Sequence, residues 1–141
     1  MIRIQDIAVA LFFVGCSTLQ AQTVNTGATF GDVIPLNGTP SDLVLDEARQ
    51  RVYMVNPSAN RVDILSMGTR KLMKSVNTGT YPLSAAMSPD GAFLYVTCTQ
   101  SASISVIDLG TDSSSRSVSL PAKPEGIAVG ADGRVLITTQ G

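Results

Sequence analysis

The chain has 141 residues, 44% of them hydrophobic and 15% charged, and ten Lys and Arg against eleven Asp and Glu leave a net charge of −1. That balance provides no basic stripe for a phosphate backbone, which argues against nucleic-acid binding. Histidine is absent, so the commonest general base and the commonest metal ligand are removed together.

The first stretch, "MIRIQDIAVALFFVGCSTLQAQ", places Arg3 before an apolar run from Ile7 to Gly15. That run falls well short of the ~20 residues a membrane-spanning helix needs. It reads as a secretory signal peptide over residues 1–21, cut after Ala21, so no transmembrane helix is expected in the mature chain 22–141. Asp6 offsets Arg3, and Leu19 stands where Ala is usual, so a buried N-terminal strand or helix is the alternative. Gly15-Cys16 also fits a lipoprotein signal, with Cys16 as the lipid anchor. Either route predicts export to the periplasm, the exterior or the cell surface. With Cys16 removed, Cys98 is the one cysteine left. No internal disulfide is then expected, and Cys98 reads as a small, half-buried strand residue.

From residue 31 onward the chain repeats. Pro40, Pro82 and Pro124 stand 42 residues apart, and the same offset aligns "TPSDLVLDEARQRVYMVNPSANRVDILS" with "YPLSAAMSPDGAFLYVTCTQSASISVID" without a gap. "KPEGIAVGADGRVLITTQG" continues the series. Residues 31–38 come first and align with the last strand of a unit, with the strand itself over Asp32–Leu36. Unit one is 39–80, unit two 81–122, and 123–141 is half of a third.

Each unit reads as four short strands. The first covers 43–45, 85–87 or 127–129, and the second 52–55, 93–97 or 135–139. Between them Asp90-Gly91 and Asp132-Gly133 supply hairpin-turn residues that tolerate positive φ. Unit one has Ala48-Arg49 there, so its turn must be of another type. The third strand, 61–65 or 103–107, alternates cleanly at Ile104 and Val106. The fourth, 72–76 or 116–120, is the most polar and is expected outermost.

Four antiparallel strands every ~40 residues predict the blades of a β-propeller. A β-solenoid needs shorter coils, and a sandwich would not repeat so regularly. The expected fold is therefore all-β. About two and a half blades are present and a closed ring needs roughly four to eight, so the chain is expected to be an incomplete N-terminal fragment of a full-length monomer. The leading fourth strand matches the ring-closing device that removes exposed edges.

The pattern P-x5-SPDG-x3-YVT-x6-ISVID around Tyr95-Val96-Thr97 resembles the YVTN-type propeller repeat of bacterial and archaeal exported or surface proteins. Cys98 stands where that repeat usually has Asn, whereas unit one keeps Tyr53-Met54-Val55-Asn56. The resemblance covers about residues 31–141. It implies surface-layer and exported propellers without known catalysis, and related propellers that include lactonase-like proteins and quinoprotein-dehydrogenase subunits.

Tyr95 and the Asp-Gly pairs read as scaffold, with the repeated aromatic packing between blades. Binding residues are expected where the units differ, on the loops leading into the first strands and the central channel. Asp42, Tyr81, Lys123 and Glu125 are the candidates. The sequence holds no Ser-His-Asp set, Cys-His pair, metal-spaced cluster or Gly-rich phosphate loop, so no catalytic residue, metal or cofactor is expected. The expected function is a non-catalytic exported scaffold that binds a protein, glycan or cell-surface component. The alternative is an extracytoplasmic enzyme or redox subunit whose active residues lie in further blades.

Overall fold

The computed structural model describes residues 33–36 and 38–140, so the expected leader and Cys16 lie outside the described residues. Ten strands are described: β1 (Asp42–Asp46), β2 (Arg51–Asn56), β3 (Arg61–Ser66), β4 (Lys71–Asn77), β5 (Pro82–Met87), β6 (Phe93–Cys98), β7 (Ser103–Asp108), β8 (Ser113–Ser119), β9 (Pro124–Val129) and β10 (Val135–Thr139). They form two antiparallel sheets in the orders β1-β2-β3-β4 and β5-β6-β7-β8, with β9 and β10 as a two-stranded hairpin.

The strands form where branched and aromatic residues fit a pleated, half-buried surface. Tyr53 lies opposite Ile64 and Val55 opposite Val62, while Leu94 lies opposite Ile107. Alternation then decides which side chains meet the next sheet. Tyr53, Val55, Val62, Ile64 and Val76 form one core cluster with Ala85, Leu94, Val96, Ile107 and Leu109 from the second sheet. Burying each large aliphatic of that set is worth about 1.5–3 kcal/mol. The core is therefore the seam between two blades, not the interior of either one.

The inner strands β1, β5 and β9 are neighbours, and β8 is exposed along its whole length. The architecture is that of adjacent propeller blades, as expected. β1, β2 and β4 extend the expected strands by one residue at each end, while β5, β8 and β9 begin three residues early, at Pro82, Ser113 and Pro124.

Val33–Leu36, expected within the leading outer strand, have no strand partner among the described residues, where the third strands β3 and β7 are each paired on both edges. Ile34, Pro35 and Leu36 instead border a cavity of about 270 Å³ over the open face of the first blade, beside Met54, Leu65 and Leu72. Cys98 is fully buried, not half-buried, because the connector at Gly79 lies directly over it.

The backbone repeats beyond what the residues share. Asn60 and Ala102 both have positive φ (52° and 44°), as do Arg70 and Asp112 (57° and 51°). β-Bulges fall between Ile64 and Leu65 and between Val106 and Ile107. Gly91 and Gly133 take φ of 68° and 80°, as the Asp-Gly pairs anticipate, whereas unit one places its left-handed residue at Gln50, φ 54°.

Candidate functional site

The four sequence candidates stand at the start of the inner strands, where equivalent positions of neighbouring blades are brought together. Asp42 opens β1 and is half-buried. Its Oδ2 accepts hydrogen bonds from Ser84 Oγ (2.8 Å) and the Ala85 N–H (2.9 Å), while Oδ1 accepts the Leu43 N–H at 2.8 Å. Beside it, Ser41 Oγ donates to the Leu83 carbonyl at 2.7 Å. Asp42 thus latches the first blade to the second.

The next seam is joined at the same level by hydroxyls. Thr97 Oγ1 donates to the Glu125 carbonyl at 2.8 Å, and Thr99 Oγ1 donates to the Pro124 carbonyl at 2.7 Å. Glu125 itself is half-buried, with Oε1 accepting from Gln140 Nε2 at 2.8 Å. Lys123 is exposed, and its carbonyl receives the Gln140 N–H at 2.9 Å. Tyr81 is 42% exposed. Its positive φ of 56° is held by the Asn60 side chain, whose Oδ1 accepts the Tyr81 N–H at 2.8 Å.

The structure therefore divides the candidates. Tyr81 and Lys123 present side chains to solvent, Glu125 is partly engaged, and Asp42 is a positioning residue for the seam. Ser84, Thr97 and Thr99 were missed. Aligning the units puts Asp42 over Ser84, but nothing in that alignment says that the two bond to each other.

At the opposite end of the inner strands, Asp46 is buried under the first turn. Its Oδ2 binds Arg49 Nη1 at 2.9 Å and accepts the Tyr53 hydroxyl at 3.3 Å, and its Oδ1 accepts the Arg49 N–H at 3.0 Å. Burial pushes the Asp46 carboxyl up, but the Arg49 N–H and guanidinium and the Tyr53 hydroxyl outweigh it and hold it below the ordinary 3.8. Burial also raises the Tyr53 phenol above 10.0. Tyr53 is fully buried between blades, as the repeated aromatic was expected to be; Tyr95 is only half-buried.

A third polar group, Asp63, pairs with Arg61 Nε at 2.8 Å and accepts from Asn56 Nδ2 at 3.4 Å on the first blade's open face. Its counterpart Ser105 in the second blade accepts the Gly79 N–H at 2.9 Å. That equivalence makes the Asp63 cluster part of a blade-packing face. Among the described residues no group of three or more Cys, Asp or Glu is placed to hold a metal ion.

Sequential four-stranded sheets about adjoining inner strands define this as a β-propeller chain, in agreement with the solved structures it resembles. No family model matches it. Antigen Lp49 of Leptospira interrogans serogroup Icterohaemorrhagiae serovar copenhageni is 25% identical over 120 residues, covering 75% of this chain and 26% of that protein. Uncharacterized protein YncE of Salmonella typhi is 31% identical over 72 residues, 50% of this chain and 20% of that protein. The solved structure of Kuenenia stuttgartiensis hydrazine synthase matches with a TM-score of 0.68 at 24% identity, over 85% of this chain and 33% of that one. The last likeness is one of fold alone. The chain spans about a quarter or less of the curated relatives it matches.

Proposed function

We propose that the chain belongs to an exported, non-catalytic propeller of the YVTN type, which binds a protein, glycan or cell-surface component through the loops leading into its first strands. One observation carries this reading. The backbone repeats down to its bulges and left-handed residues, yet the positions opening the inner strands differ in every unit and present Tyr81 and Lys123 outward. A rigid frame with variable exposed tips is how scaffolds carry recognition. The Arg3-to-Ala21 segment supports export. The test has two arms. Mass spectrometry of the expressed protein should find a mature start at Gln22 or a lipidated Cys16; an intact Met1 on cytoplasmic protein overturns export. A glycan array and intact-cell binding should show a signal that falls in Tyr81→Ala/Lys123→Ala; a signal indifferent to that change overturns the loop assignment.

A further inference from the structure

The two ends of the blades differ in charge. At one end, the turns joining first to second and third to fourth strands carry Asp46, Glu47, Arg49, Arg51, Arg70 and Lys71 in unit one, and Asp90, Asp108 and Asp112 in unit two. The opposite end holds the turns between second and third strands and the connectors between blades. There the turns 57–60 and 99–102 and the connector 77–82 contain no charged residue. Of the charges beside them, Asp42 is engaged in the latch to Ser84 and Ala85, and Arg61 pairs with Asp63 at 2.8 Å.

These three loops are tied into one patch. Ser101 Oγ accepts the Thr80 N–H at 3.1 Å, the Thr80 carbonyl accepts the Gln100 N–H at 3.2 Å, and the Tyr81 carbonyl accepts the Thr99 N–H at 3.0 Å. Gly79 presses so closely on the 99–102 turn that a Cβ there would stand 2.5 Å from Ser101 Oγ and 2.9 Å from Cys98 Cβ. Asn60, Thr80, Tyr81, Gln100 and Ser101 are all exposed on this patch. Tyr81 is its one aromatic, and its backbone is strained. Among Thr39, Tyr81 and Lys123, the equivalent residues that open the three units, only Tyr81 has positive φ, a conformation that a bulky side chain rarely adopts. The bond from its N–H to Asn60 Oδ1 holds it there. One unit later the counterpart of Asn60 is Ala102, which has no side-chain acceptor, and Lys123 is not left-handed.

We infer that this patch binds a neutral saccharide, stacked on the Tyr81 ring and hydrogen-bonded at its edge by the side chains of Thr80 and Gln100, with Asn60 as the residue that positions the ring. A pyranose has an apolar C–H face and a rim of hydroxyls. A Tyr ring fixed among small polar side chains is the complement of both. Without local charge the patch has no attraction for an ionic ligand, and one aromatic among hydroxyls and amides lacks the apolar centre of a protein interface. Holding the ring in place beforehand removes an ordering cost on binding. The inference rests on the binding reading above and narrows it to one ligand class, and to Tyr81 without Lys123.

The test applies the full chain to an array of neutral and acidic glycans, then titrates it with the neutral glycan of strongest signal while the amide shifts of Thr80, Tyr81 and Gln100 are followed. Signal on neutral glycans and saturable shifts at those three residues are expected. Tyr81→Ala should abolish binding while keeping the circular dichroism of the parent, and Tyr81→Phe, which keeps the ring, should bind as the parent does. Asn60→Ala should bind about tenfold more weakly, and Asn60→Asp, which keeps an acceptor for the Tyr81 N–H, should restore the affinity; equal affinity in Asn60→Ala and the parent removes Asn60 from its positioning role. Lys123→Ala alone should change nothing, and a loss there overturns the assignment to Tyr81. A silent array, signal confined to acidic glycans, or undiminished binding in Tyr81→Ala overturns the inference. A silent array beside intact-cell binding that falls in Tyr81→Ala/Lys123→Ala points to a protein partner, which overturns this inference and leaves the loop reading standing.

Discussion

Removing the Asp42 carboxylate tests whether the blades are held at their inner edge by the latch described above. Asp42→Ala deletes an ionised acceptor of two cross-blade hydrogen bonds, from Ser84 Oγ and the Ala85 N–H, and of one local bond from Leu43. Ala85 is 8% exposed, so water cannot readily replace the lost partner of its N–H. Hydrogen bonds to charged groups contribute about 1.5–3 kcal/mol, and a stranded buried donor costs about 1–3 kcal/mol. These describe the same loss from two sides, so the net expectation is about 2–3 kcal/mol. With a urea m-value of about 1–3 kcal/mol/M, the unfolding midpoint should fall by about 1 M. Ser84→Ala alone should cost less, because the Ala85 N–H keeps its acceptor, and the cycle with Asp42→Ala should show a coupling of about 0.5–1.5 kcal/mol. An Asp42→Ala midpoint within error of the parent, or a coupling of zero, would refute the latch and return Asp42 to the binding candidates.

Ala102 has φ of 44° and no side chain to imitate Asn60, so Ala102→Asn should stabilise the chain by about 0.5–1 kcal/mol in chemical denaturation; an unchanged or lower midpoint contradicts this. Asp46 is depressed below 3.8 in the folded state, so its stabilisation is present above that value and is lost as pH falls through the folded pKa. Asp46→Asn should therefore be less stable than the parent at neutral pH, with the difference shrinking on acidification below about pH 3.8; a constant difference in acid titrations of stability rejects the assignment. Leu43 and Leu45 are 61% and 49% exposed on the first blade's open face, whereas their counterparts Ala85 and Met87 pack in the seam core. Size-exclusion chromatography should show self-association of residues 22–141 that Leu43→Lys/Leu45→Lys relieves; a monomeric parent negates it.

What the sequence alone determined was everything that rests on period and on local backbone preference. The 42-residue spacing of Pro40, Pro82 and Pro124 sets the blade, alternation sets which faces are apolar, and Asp-Gly sets two turns with positive φ. These are short-range consequences of side-chain geometry, so they survive without knowledge of any partner. The left-handed residue at Ala102 was not legible, because alanine does not ask for that conformation; the turn of the blade imposes it. Nor was the fate of the four candidates. Asp42 and Lys123 look alike on paper, as charges in variable loops, but the Asp42 side chain meets Ser84 across a seam while Lys123 is exposed. A hydrogen bond between residues 42 positions apart is decided by where two sheets pack, and that is a property of the tertiary structure, not of either segment.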